Sequence, residues 1–190
     1  MIKLQGKKVF LSALERDDCR KIWQETEFDF ENPPDYFIVG ASVEKADELY
    51  SDIQSKQGKT QIRLGIFLPS EDGATLIGDI ALLDINWQDR ACTLGYGLTK
   101  IEYRNKGYTT DAAITILRYG FCHLGFERIS ATTLEHNIGS QRVLEKCGFT
   151  LEGRERKAVY IAGRRYDRLM YGMLADEFIK LHGTKISWSS

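Results

Sequence analysis

The spacing of apolar residues along the chain changes several times, and each change marks an element. Residues 8–14 suggest a short strand, and 15–27 carry acidic residues with Ile22 and Trp23 at helical spacing. Asn32-Pro33-Pro34-Asp35 breaks the chain. Val43, Ala46, Leu49 and Ile53 then share one helical face behind Ser42, a good acceptor for the first free amides of a helix, and Gly58 supplies a stop. From residue 61 the period becomes two. Ile62, Leu64, Ile66 and Leu68 alternate with Gln61, Arg63, Gly65 and Phe67, and 69–73 turns into a run with Leu76, Gly78, Ile80 and Leu82, which predicts an antiparallel hairpin. Another strand follows over 90–99. Cys92, Leu94, Tyr96 and Leu98 point one way in it, and Ala91, Thr93, Gly95, Gly97 and Thr99 the other, so one face is bulky and the other almost bare.

A basic loop at 104–109 leads into a helix with the stripe Ala113, Leu117, Phe121 and Leu124, stopped by Gly125. A strand at 129–133, a helix capped by Asn137 and stopped by Gly148, and two strands at 149–160 and 165–175 complete the series. The order βααβββαβαββ predicts an α+β fold, as one domain over 1–182 with a polar tail over 183–190. The first few residues, like the tail, are expected to lack structure. An exposed final strand would offer an edge to a second copy, which makes a homodimer a candidate assembly.

At 190 residues and 43% apolar, the chain can bury one good core. Its 26 Lys and Arg balance 27 Asp and Glu, so no global charge draws it to nucleic acid or to an anionic membrane, and neither is an expected partner. Cys19, Cys92, Cys122 and Cys147 are too far apart for zinc or redox pairs; no metal is expected, and the thiols suit a reducing compartment. No apolar run near the N-terminus resembles a signal peptide or membrane span, so the expected location is the cytoplasm.

Strand, basic glycine loop and helix in succession form an anion site, because unbonded amides and the positive end of the helix dipole converge there. Gly107 permits a left-handed turn or a close ligand, and Arg104 and Lys106 add charge. A basic turn before a helix is also an ordinary structural unit. Gly95 and Gly97 bare the backbone of the preceding strand to an extended ligand, or else mark a bend packed under a helix. Gly107 lacks the following Lys and hydroxyl of a P-loop, and Gly95-Tyr96-Gly97 lies inside a strand rather than opening a helix as in a dinucleotide fold.

The segment 94–149 resembles the core of the GNAT acetyltransferase superfamily. The family loop Arg/Gln-x-x-Gly-x-Gly/Ala is matched by Arg104 and Gly107, while Thr109 departs from it, although a Thr at a helix entrance can itself cap. The run from Asn137 to Phe149 resembles the family's N-x-x-S/A helix and G-F stop. Asn137-x-x-Ser140, Leu144 and Gly163-x-x-x-Asp167 resemble the RimJ/RimL-type branch, which includes ribosomal-protein N-terminal acetyltransferases. Related spermidine and aminoglycoside acetyltransferases share much of this pattern.

The resemblance implies a GNAT-like mixed, mostly antiparallel twisted sheet flanked by helices. It also implies acetyl-CoA as co-substrate and an amine acceptor, foremost a protein N-terminus, with a polyamine or aminoglycoside next. It places the backbone amides of Arg104, Asn105, Lys106, Gly107, Tyr108 and Thr109 on the pyrophosphate, and Gly97, Leu98 and Thr99 along the pantetheine arm. Asn137 would bond the end of that arm, and Ser140 would lie near its sulfur. Helix capping accounts equally for Asn137, and a local backbone bond for Ser140. Many family members carry a Tyr proton donor where this chain has Leu144, so Ser140 or a water is the expected substitute. A catalytically silent acyl-CoA-binding module is the competing class.

A lysine-like amine has a solution pKa of about 10.4, so a base or a desolvating site must favour its neutral form. Glu25 and Glu27, bordering the segment between the early helices, and Asp84, ending a central strand, are the candidates by position; each also suits a solvated surface charge. Glu25, Glu27, Asp29, Glu31 and Asp35 interleave with Phe28, Phe30, Tyr36 and Phe37, giving an acidic, aromatic rim suited to a cationic amine, or simply an acidic helix end beside core aromatics. His123 and His136 belong to no Ser-His-Asp pattern and His182 falls near the tail, so all three are expected to be structural or on the surface.

Overall fold

A computed structural model describes residues 3–29, 42–71, 73–184 and the backbone of 188–189. Two short strands, β1 (Lys3–Gln5) and β2 (Phe10–Ser12), precede helices α1 (Arg16–Glu25) and α2 (Val43–Lys56). Strands β3 (Ile62–Ser70), β4 (Gly73–Asn86) and β5 (Ala91–Leu98) form a meander, followed by a 3-10 turn over Ile101–Tyr103. Then come α3 (Tyr108–Cys122), β6 (Arg128–Leu134), α4 (Ile138–Cys147), β7 (Thr150–Ile161), β8 (Arg164–Leu174), α5 (Ala175–His182) and β9 (Trp188–Ser189).

One sheet in the order β7-β8-β6-β5-β4-β3-β2-β1-β9 joins all the strands, and β5 with β6 is its parallel pair. That pair is brief: Ala91, Cys92 and Thr93 meet Arg128, Ile129 and Ser130, whereas β6 continues against β8 as far as Leu134. Beyond Thr93 the sheet opens. Leu94 to Leu98 keep β4 on one edge and, among the described residues, have no ladder partner on the other.

The alternation explains the two faces. Ile80 and Leu82 of β4 and Leu94 of β5 turn toward α3, whose Ala112, Ala113, Ile116, Leu117 and Phe121 are buried in the main core. The opposite face is covered by α1 and α2 through a smaller cluster of Leu14, Cys19 and Ile53. As expected, the Ser42 side chain accepts from the Lys45 amide to start α2, and Gly125 and Gly148 stop their elements at positive φ.

The structure departs from the sequence expectation at both ends. Residues expected to lack structure form β1, which β2 and β9 bond on either side. Residues 175–182, beyond the strand expected to end at 175, form a helix: the Leu174 amide donates to Glu177 at 2.9 Å to start it, and Phe178 packs on Phe121 at 5.2 Å, while β9 at 188–189 falls within the expected tail. Ala175, Phe178 and Ile179 do stand at helical spacing, but two turns beside a strand that runs directly into them are too short to separate the two periods. The final long strand, β8, is internal, between β6 and β7, so the open edge on this side belongs to β7.

Candidate active site

The loop before α3 holds two left-handed residues, Asn105 at φ 61° and Gly107 at φ 79°. Gly107 is the N-cap and no side chain caps this helix, so Thr109, already inside the first turn, does not fill the capping role its sequence position suggests. Arg104 N donates back to Ile101 O at 3.0 Å, and Asp111 N to Gly107 O at 3.0 Å. The first-turn amides between these two bonds have no intrahelical acceptor and are the ones able to hold an anion.

Charge around the loop is not arranged as its sequence suggests. The Arg104 guanidinium pairs with Asp29. Cations come instead from the β1–β2 turn and from α4, since Lys7, Lys8 and Lys146 line a depression beside Gly107 and Thr110. Asp111 fixes that turn by accepting from the amides of Lys7, Lys8 and Val9 at 2.9, 2.6 and 3.0 Å, and Lys8 Nζ donates to Lys106 O at 2.7 Å. These lysines are distant from the loop in sequence, so no local motif signals them.

Immediately after β5, Thr99 is buried and its backbone is committed. Its N–H donates to Ile77 O at 3.0 Å, and its carbonyl accepts from Glu27 N at 2.7 Å. Thr99 therefore lacks the free backbone groups that its expected place along a pantetheine arm requires. Successive residues of an antiparallel strand turn their backbone groups to opposite edges, so those of Leu98 project away from β4, toward the opening. Gly97 contributes its bareness: a Cβ there would meet only Asp79 Oδ1, at 3.9 Å.

Across the opening stands the start of α4. Asn137 Oδ1 accepts from Ser140 N at 3.0 Å, so the residue does cap its helix, leaving the side-chain NH2 as the group able to serve a ligand. Ser140 meets a residue the sequence reading assigned only to packing: Tyr96 Oη lies 2.9 Å from Ser140 Oγ and 3.3 Å from Ser140 O. Burial pushes the Tyr96 phenol above its usual range, and the Ser140 bond offsets this only in part. A hydroxyl on an otherwise apolar register needs a partner, and that was the available signal. Leu144 is fully buried in the main core.

The three carboxylates ranked as bases are not gathered here. Glu25 pairs with Lys100 at 3.3 Å, and Glu27 accepts from Ile101 N at 2.7 Å, so both anchor the chain beside the loop. Asp84 is exposed at an irregularity of β4, with φ 49°. It stands five residues from Asp79, the partner of Gly97, which at strand rise is about 17 Å. Asp79 is the carboxylate facing the bare strip. Arg63 donates to it at 2.6 Å, and burial raises its pKa while Arg63 pulls it down. Of the acidic rim, Asp29 joins Glu25 and Glu27 in being paired; Phe30, Glu31, Asp35, Tyr36 and Phe37 lie outside the described residues.

No thiol is poised to attack. Burial pushes Cys92 and Cys147 up to about 12, and Cys19 to about 11. His182 belongs to α5, where its ring packs on Phe178 and Nε2 meets Cys147 O at 2.9 Å; His123 stacks on Tyr119, and His136 lies tilted against Tyr166. Among the described residues no group of three or more His, Cys, Asp and Glu could hold a metal ion, and no helix is long and apolar enough to cross a membrane.

Residues 8–150 match the family model described as acetyltransferase (GNAT) domain. YjcK of Bacillus subtilis (strain 168), named as a probable N-acetyltransferase, is 31% identical over 180 residues, 90% of this chain and 96% of that protein. YdaF of the same organism, named provisionally as a ribosomal N-acetyltransferase, is 32% identical over 107 residues, 56% and 57% of the two chains. In fold, the chain superimposes with a TM-score of 0.76 on spermidine N-acetyltransferase from Vibrio cholerae in complex with CoA and spermine, at 24% identity and covering 92% and 99% of the two chains. A loop of unbonded amides, a strand edge open beside it and a family match across both lead to one assignment: the chain is an acetyl-transferring enzyme of the GNAT family.

Proposed function

We propose that the chain moves an acetyl group from acetyl-CoA to a primary amine by direct attack, and that a protein N-terminal α-amine is its foremost acceptor, in the manner of the RimJ/RimL-type branch. The observation that carries this reading is the free edge of β5 running into the uncapped start of α3. The amides of residues 105–109 hold the pyrophosphate, Leu98 pairs with the pantetheine arm, and Asn137 donates to its far end. Lys7, Lys8 and Lys146 supply the positive field that the paired Arg104 does not.

Ser140 gives a proton to the leaving sulfur. Backbone N–H groups on the open edge of β5 stabilise the developing oxyanion without any special side chain. The state of the carboxylates supports the α-amine. Glu25 and Glu27 are engaged and Asp84 is remote, whereas an α-amine has a pKa of about 7.7–8.0 and needs far less help to become neutral than a lysine-like amine at about 10.4. A polyamine is the second reading, favoured by the likeness in fold to the spermidine enzyme.

Thiol release from acetyl-CoA with a short peptide bearing a free α-amine, with spermidine and with an aminoglycoside tests the assignment. The peptide is expected to give the highest kcat/KM. Faster turnover of spermidine would replace the first reading by the second, and CoA binding without thiol release on any amine would overturn both.

A further inference from the structure

Tyr96 is the one hydroxyl on the inward register of β5, among Cys92, Leu94 and Leu98. Its side chain bridges from the strand to the first turn of α4, where it meets both oxygens of Ser140 while Asn137 holds the Ser140 amide. Ser140 is thereby fixed through its N–H, its carbonyl and its hydroxyl oxygen.

We infer that Tyr96 is a positioning residue that turns the Ser140 hydroxyl proton toward the leaving sulfur. The inference rests on the reading of Ser140 as proton donor. A serine hydroxyl has one proton and two lone pairs, so its orientation depends on what donates to it. The one phenol proton of Tyr96 has two oxygens within reach, Ser140 O at 3.3 Å and Ser140 Oγ at 2.9 Å; when it takes the shorter bond, as the stronger acid of the two hydroxyls, the serine proton is released for another acceptor. Burial of Tyr96 keeps the phenol protonated throughout the neutral range, so the polarity of the pair does not reverse.

In the reaction the amine nitrogen bonds the acetyl carbon, the carbon–sulfur bond breaks, and its electron pair goes to sulfur. Sulfur takes the Ser140 proton, and in the same step Ser140 Oγ receives the Tyr96 phenol proton, the phenol being the stronger acid, so that no serine alkoxide is left. The proton lost by the amine reaches solvent, and solvent restores the one on Tyr96. The net change is amine and thioester to amide and thiol, with both hydroxyls returned to their starting state.

A double-mutant cycle reads this directly, with acetyl-CoA and either the α-amine peptide or spermidine. Tyr96→Phe is expected to lower kcat by about tenfold to a hundredfold, at or below the lower end of general-acid effects as suits a residue acting through another, and to leave the KM for acetyl-CoA within about twofold. In the Ser140→Ala background the same change should have no further effect. Equal losses in both backgrounds, or full activity of Tyr96→Phe beside a deficient Ser140→Ala, would overturn the positioning role. Full activity of Ser140→Ala would instead overturn the donor assignment beneath it. If Tyr96→Phe does not fold, a fluorotyrosine placed at 96 preserves the shape. Its more acidic phenol should bring the alkaline loss of kcat to lower pH than in the unmodified chain, and an unmoved profile would count against the inference.

Discussion

Arg104 opens the anion loop, yet its guanidinium is bound to Asp29, 75 residues away in sequence. The ion pair ties the segment after α1 to the start of the loop, and anion binding is left to backbone amides. Arg104→Ala should therefore weaken CoA by less than about fivefold, the scale of a partly exposed ion pair. Gly107→Val should weaken it by about tenfold or more, because a branched residue is strained at φ 79° and its Cβ would lie 3.2 Å from Lys8 Nζ. Calorimetric titration of both variants with CoA checks the order, and the reverse order would return the principal role to the Arg104 charge.

Two glycines on adjacent strands should fail differently. A Cβ on Gly78 would stand 2.1 Å from Gly97 O and 2.9 Å from Leu98 Cα, both backbone atoms, so Gly78→Ala must push β4 and β5 apart at a cost of about 2–3 kcal/mol. Gly97→Ala meets no such contact and should change stability by less than about 1 kcal/mol while lowering kcat, since its methyl group enters the bare strip. Urea unfolding and steady-state rates on the two variants separate the effects.

Asp167 should make stability depend on acid pH. Its carboxylate is held below its usual range first by the Lys157 amide, at 2.7 Å, and next by Arg154. The stabilisation is present above the ordinary value of 3.8 and is lost as pH falls through the lowered one. Melting temperatures of the native chain and Asp167→Asn should differ at pH 6, begin to approach each other as pH falls past about 4, and converge only below the lowered pKa, in line with that linkage. A gap that stays constant to lower pH would assign the role of Asp167 to shape rather than charge.

With Cys92 and Cys147 pushed up to about 12 by burial, no acetylated protein should form on incubation with acetyl-CoA alone. Mass spectra before the amine is added, together with intersecting rather than parallel double-reciprocal lines, are the expected results. An acetyl adduct on a thiol would refute direct attack.

Local pattern was enough to place most elements. Period-two alternation located β3 to β5, Gly125 and Gly148 marked the stops of α3 and α4, and Asn137 marked the start of α4, because each of these signals acts within a few residues. What escaped were relations between distant segments. Nothing near Lys8 announces that Asp111 will fix its turn beside Gly107, and nothing near Asp29 announces Arg104. Tyr96 was assigned to the buried register of β5, as it should be, but the partner that gives its hydroxyl a use lies 44 residues on. Glu25 and Glu27 are candidates by sequence because they border the segment between the early helices; their bonds to Lys100 and Ile101 N arise only from the fold.

The three-residue pairing of β5 with β6 is also a seam in the molecule's resistance to opening. Strands β1 to β5 on one side and β6 to β8 on the other are each joined by longer ladders with local bulges, while the boundary between them has a three-residue pairing, α3 and the Tyr96–Ser140 contact. Amides of Leu98 and its neighbours on the open edge should exchange with deuterium well before those inside either half. A ligand lying in that gap would supply the missing bonds to both sides. At one hundred times its Kd, such a ligand adds about 2.7 kcal/mol to folding stability, so slowed exchange along the seam would report binding even for a variant that transfers nothing.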